Sequence, residues 1–134
     1  MSNQRTHIRF PADTNIPGRI DFVGLYYDPN GYRVHVVEFA KANADILEID
    51  FGMAVLAQRS FDEGDCLTMT ASADTSAGVL GPIVLVKNSK FLRWFHEQSL
   101  NIHSNEDLFH VAILTQNEWV EVISNKLPKL KWLP

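Results

Sequence analysis

The sequence predicts an α+β domain: a mainly antiparallel curved sheet of about six to eight strands packed against one or two helices. Three observations carry this reading. Runs rich in Val, Ile, Tyr and Phe are joined by tight turns, which suits antiparallel neighbours. One segment, Lys90 to Leu100, has amphipathic helical spacing. The 134 residues hold no linker long enough to separate two units, so the prediction is a single domain over 1–134.

The elements follow in order. His7 to Phe10 alternates as a short first strand, and Pro11 to Gly18 is a loop by composition. Ile20 to Tyr27 and Tyr32 to Phe39 flank Asp28-Pro29-Asn30-Gly31, where Pro pre-sets φ and Gly supplies a positive φ. This is the strongest hairpin signal in the chain. Ile46 to Phe51 puts Leu47, Ile49 and Phe51 on one side and Glu48 and Asp50 on the other, the pattern of a half-buried strand. After Gly52, Met53 to Phe61 carries β-compatible residues that could pair back as another strand, although Ala54 and Ala57 leave a helix open. Asp62-Glu63-Gly64-Asp65 is a turn, and Cys66 to Ala77 reads as a loop or short helix.

Ile83 to Lys87 is a buried strand. Asn88 or Ser89 then caps the helix, which turns Phe91, Leu92, Phe95 and Ser99 to the sheet and Lys90, Arg93 and Glu97 to solvent. Leu108 to Thr115 and Trp119 to Ser124 form a second hairpin. The tail, with Pro128 and three lysines, suits an edge strand.

Composition excludes several functional classes. Hydrophobic residues are 46% and charged residues 21%, an ordinary globular balance. No apolar run approaches the roughly 20 residues of a spanning helix, and the amino terminus lacks the apolar core of a secretory signal. A cytoplasmic protein without membrane association is expected. The net charge is −4, and the acids fall in two blocks, 42–86 and 95–125. Nucleic-acid binding needs clustered Lys and Arg, so it is not expected.

Catalytic motifs are lacking: there is no G-x-S-x-G elbow and no Gly-rich phosphate loop. His96, Glu97, His103 and His110 are not spaced as helical zinc ligands, since position 100 is Leu. Cys66 follows Glu63 and Asp65, which disfavour a thiolate. Neither metal, cofactor nor enzymatic activity is therefore expected. Trp94 borders the helix's apolar stripe and reads as core. Trp119 and Glu121 share a parity opposite to Val120 and Val122, which places them on the solvent face. An exposed Trp beside carboxylates suits a basic protein partner.

The stretch Ala57-Gln58-Arg59-Ser60-Phe61-Asp62-Glu63-Gly64-Asp65, then Val86-Lys87-Asn88-Ser89 leading into Phe91 to Ser99, then the hairpin His110 to Ile123, resembles small stand-alone bacterial proteins. Immunity proteins of polymorphic or contact-dependent toxin systems are among them. The resemblance covers about residues 46 to 125 and implies binding and blocking of one cognate toxin in the cytosol. It transfers no residue-level role. The acidic blocks independently fit a basic target, through a surface comprising Asp62, Glu63, Asp65, Glu118, Trp119 and Glu121. The alternative is a small-ligand module or small enzyme using a pocket on the curved sheet, which a large apolar cavity converging on His35, His96 or His110 would favour. An exposed strand edge would also allow homo-oligomers.

Overall fold

The computed structural model describes residues 6–10, 15–62 and 81–134. Its elements are β1 (Thr6–Arg9), β2 (Ile20–Asp28), β3 (Gly31–Glu38), β4 (Ile46–Gly52), β5 (Val55–Asp62), β6 (Ile83–Lys87), α1 (Lys90–Gln98), β7 (Phe109–Leu114), β8 (Glu118–Ser124) and β9 (Lys129–Trp132). The α+β class and the antiparallel pairing match expectation. The single curved sheet does not. The strands divide into a five-stranded sheet, β1-β6-β7-β8-β5, and a four-stranded sheet, β2-β3-β4-β9.

The division follows from burial. Alternate residues Val34 and Val36, Leu47 and Ile49, Val111 and Ile113, and Val120 and Val122 are all fully buried. They belong to one core cluster that draws on both sheets, so the two sheets pack face to face. One sheet's apolar face is covered by the other, and the helix is free to cover something else. The break occurs after β4. Gly52 takes φ +59°, with its N–H donating to Asp50 Oδ1 at 2.8 Å, and β5 leaves to pair with β8. Met53 to Phe61 therefore does not pair back on its neighbour, as periodicity alone suggested.

The first hairpin forms as predicted. Asp28 Oδ1 accepts from Asn30 N at 2.8 Å, and Gly31 sits at φ +110°. A Cβ on Gly31 would lie 2.9 Å from Gly52 Cα, because β3 passes tightly by the end of β4. Gly31→Ala therefore combines a disfavoured φ with a backbone clash. The expected loss exceeds about 1 kcal/mol, read as a lower urea midpoint with an unchanged m-value.

On the outer face of the five-stranded sheet, α1 lies over part of β7 and β5. Ser89 is the N-cap, its Oγ accepting from Leu92 N at 2.9 Å. Phe91 is the helix's buried residue. Its ring lies 5.4 Å from that of His110 on β7, and the Arg59 guanidinium of β5 sits 4.1 Å above it. Val84, Val86 and Ala112, with Leu114 against them, form a smaller apolar cluster on this sheet. The architecture is thus three-layered: sheet, sheet, helix. Trp94, expected in the core, is 51% exposed and stacks on Phe91 from outside. The tail strand β9 pairs with β4 and forms the edge of the smaller sheet, as its Pro and Lys content suggested.

Candidate functional site

Strand alternation places His110 and Glu121 on the face opposite the main core. Register makes them diagonal neighbours: His110 pairs with Ile123, two residues beyond Glu121, while Glu121 pairs with Arg59 across the β5–β8 ladder. Diagonal neighbours are within reach of long side chains. His110 Nε2 lies 2.6 Å from Glu121 Oε1, and Arg59 Nε donates to Glu121 Oε2 at 3.1 Å. Ser89, at the junction of β6 and α1, completes the chain with Oγ 2.6 Å from His110 Nδ1.

The line Ser89–His110–Glu121–Arg59 lies under the helix. Ser89 is 5% exposed, His110 2% and Glu121 0%, while Arg59 keeps about a third of its side chain in solvent. Burial alone would raise the Glu121 carboxyl. Hydrogen bonding and charge from His110, and then the Arg59 guanidinium, overcome it and hold the group down at about 2. The ionised carboxylate orients the imidazole by accepting from Nε2–H, and in the neutral ring Nδ1 is then the acceptor for the Ser89 hydroxyl. Ser89 Oγ in turn accepts from the helix's first turn.

Two of the predicted docking residues therefore have other surroundings. Trp119 is only 9% exposed and Glu121 is fully buried. Their shared parity holds, but that face is covered rather than solvated, so neither stands on an open surface. Asp62 is exposed and Glu118 half-buried, and they are direct partners at the end of the β5–β8 ladder. Glu63, Asp65 and Cys66 lie outside the described residues.

The other histidines are dispersed. His35 on β3 pairs with Glu48 of β4 at 2.9 Å, both partly buried. His103 bonds Glu106 in the turn after the helix, and His96 Nδ1 is buried without a partner. Among the described residues no three His, Cys, Asp or Glu gather as metal ligands, and no helix is long and apolar enough to cross a membrane.

Ser89 and His110 both border a cleft of about 180 Å³, walled on its apolar side by Val86, Leu92 and Leu108. A larger, shallower cleft of about 430 Å³ lies between the β4–β5 turn and the segment leading to β9, with Asp50, Lys126 and Lys129 at its edge. Sequence reading identified Ser89 only as a cap and His110 only as a strand residue. The signal that joins them is register: a turn closed by Thr115 and Glu118 sets His110 diagonal to Glu121, and a serine capping the helix over that face completes the line.

The fold and this buried line define a two-sheet α+β protein with a helix-covered polar relay. No family model, curated protein or solved structure matches the chain.

Proposed function

We propose that the chain acts in the cytoplasm as an inhibitory binding protein, an immunity protein that occupies a basic toxin domain. The observation that supports this reading is the pairing of Asp62 with Glu118 at one end of the five-stranded sheet, where the chain runs on into Glu63 and Asp65. Two carboxylates paired in register at a ladder end, one of them exposed, present negative charge that complements a basic partner. An acidic edge also steers a cationic partner and speeds its association. Trp119 and Glu121 contribute from beneath, by fixing β8.

The test starts from the neighbouring genes: the reading expects a large secreted protein encoded immediately upstream, and its carboxy-terminal domain is then the partner assayed. Wild-type protein protects cells expressing that domain and forms a complex with it. The variant D62K/E118K associates about tenfold more slowly at low salt, with the difference shrinking as salt rises. An unchanged on-rate removes Asp62 and Glu118 from the interface, and failure to bind or protect removes the function.

A second reading, a small-ligand site, is supported by one observation. The cleft bordered by Ser89 and His110 includes one of the three histidines considered, although it is small and only partly apolar rather than the large apolar cavity expected. It lies toward the opposite end of the β7–β8 hairpin from Glu118, so the two surfaces do not compete.

A further inference from the structure

We propose that Ser89 is the nucleophile of an acyl-ester hydrolase site, with His110 as its general base and Glu121 as a positioning residue, acting on esters of short acyl groups. This deepens the small-ligand reading of the cleft and does not depend on the docking surface.

Four features converge on the site. The first is the hydroxyl–imidazole–carboxylate line, with 2.6 Å at each joint, within the reach that nucleophile, base and orienting group need. The imidazole is used in the sense Nδ1 to serine and Nε2 to carboxylate. Either nitrogen serves as the base once the other is held protonated. The second is the valence of Ser89. A hydroxyl has one proton and two acceptor sites. The proton faces His110 Nδ1 and one acceptor site takes Leu92 N–H, which leaves one lone pair for attack.

The third feature is the helix start. The N–H groups of Lys90 and Phe91 belong to the first turn, which has no intrahelical acceptors, and the dipole there favours negative charge. Lys90 and Phe91 directly follow Ser89 in the chain, so the donor-bearing helix start adjoins the nucleophile. The fourth is the cleft, which both reacting residues border. Its volume of about 180 Å³ is below the roughly 300 Å³ at which pockets for drug-sized ligands begin, so it suits a short acyl group.

The reaction is ester plus water giving acid plus alcohol. As Ser89 Oγ bonds to the acyl carbon, its proton passes to His110 Nδ1. The carbon–alkoxide bond breaks, and the alkoxide leaves with that proton as the alcohol. Water then attacks the acyl-serine and gives one proton to His110. The carbon–Oγ bond breaks, the carboxylic acid leaves, and the proton returns to Oγ.

The experiment has a chemical arm and a binding arm. The full chain is incubated with a fluorophosphonate probe and the adduct is located by mass spectrometry, while p-nitrophenyl acetate hydrolysis is followed by absorbance. One label per chain, on Ser89, is expected. Ser89→Asn keeps an N-cap acceptor but removes the nucleophile, so label and hydrolysis should both vanish while the melting curve stays cooperative. His110→Asn should slow hydrolysis on the order of 10²-fold. No label on folded wild-type protein, a label on another residue, or hydrolysis unaffected by Ser89→Asn overturns the proposal. In the binding arm, butyrate is titrated against the His110 ring signals by NMR. A saturable shift without a label leaves a small-ligand site that performs no chemistry, and neither shift nor label removes both readings.

Discussion

Glu121→Ala is expected to lower stability by about 3–5 kcal/mol, seen as a large fall in the urea midpoint. The carboxylate is fully buried and holds His110 on one oxygen and Arg59 on the other. Removing it costs more than two hydrogen bonds. His110 Nε2, 1% exposed at the side chain, loses its acceptor away from water, and Arg59 loses its counter-charge beside Phe91. Replacing the whole group tells a different story. In the triple variant R59M/H110L/E121L no charge is left behind, and most of the lost stability should return. The contrast separates the cost of stranding charges from the worth of the network.

The acid limb gives the same residue a second signature. Glu121 binds its proton at about 2 in the folded chain and at about 4.5 when free. Its folded pKa is depressed, so its contribution is fully present above about 4.5 and disappears as pH falls through about 2. Wild-type stability should therefore decline across that window. In Glu121→Ala this part of the decline should be missing. An unaltered acid limb would show that other carboxyls set it.

Much of the strand layout was legible because it is local. Leu47, Ile49 and Phe51 alternate with Glu48 and Asp50, and the Asp28–Gly31 turn has one economical geometry, so β2, β3 and β4 follow from spacing alone. The partition into two sheets was not legible. Val55 to Asp62 has a strand's composition whichever neighbour it joins, and nothing near Gly52 specifies that it crosses to β8. The burial of Glu121 was hidden for a related reason. Alternation separates one face of β8 from the other, but cannot say that a helix placed far earlier in the chain covers the second face. Ser89 could be recognised as a cap from its neighbours, whereas its bond to His110 depends on tertiary packing over 21 residues of separation.

The interface between the sheets has its own decisive residue, Tyr32. It is fully buried in β3 of the smaller sheet, yet its hydroxyl reaches Gln58 Oε1 on β5 of the larger one at 3.2 Å. Its ring packs edge-on against Phe51 at 5.7 Å and Tyr27 at 5.4 Å. Tyr32→Ala removes the largest fully buried side chain among the described residues and leaves a void between the two sheets. A loss of about 3–5 kcal/mol is expected. Tyr32→Phe keeps the ring and gives up only the cross-sheet hydrogen bond, for about 1 kcal/mol. Burial also pushes the Tyr32 phenol above its ordinary value of 10. That contribution is fully present below about 10 and is lost at more alkaline pH, so Tyr32→Phe should blunt alkaline unfolding. If Tyr32→Ala behaves like Tyr32→Phe in denaturant, the sheets are not held face to face through this ring, and the layered arrangement that lets α1 cover Glu121 loses its foundation.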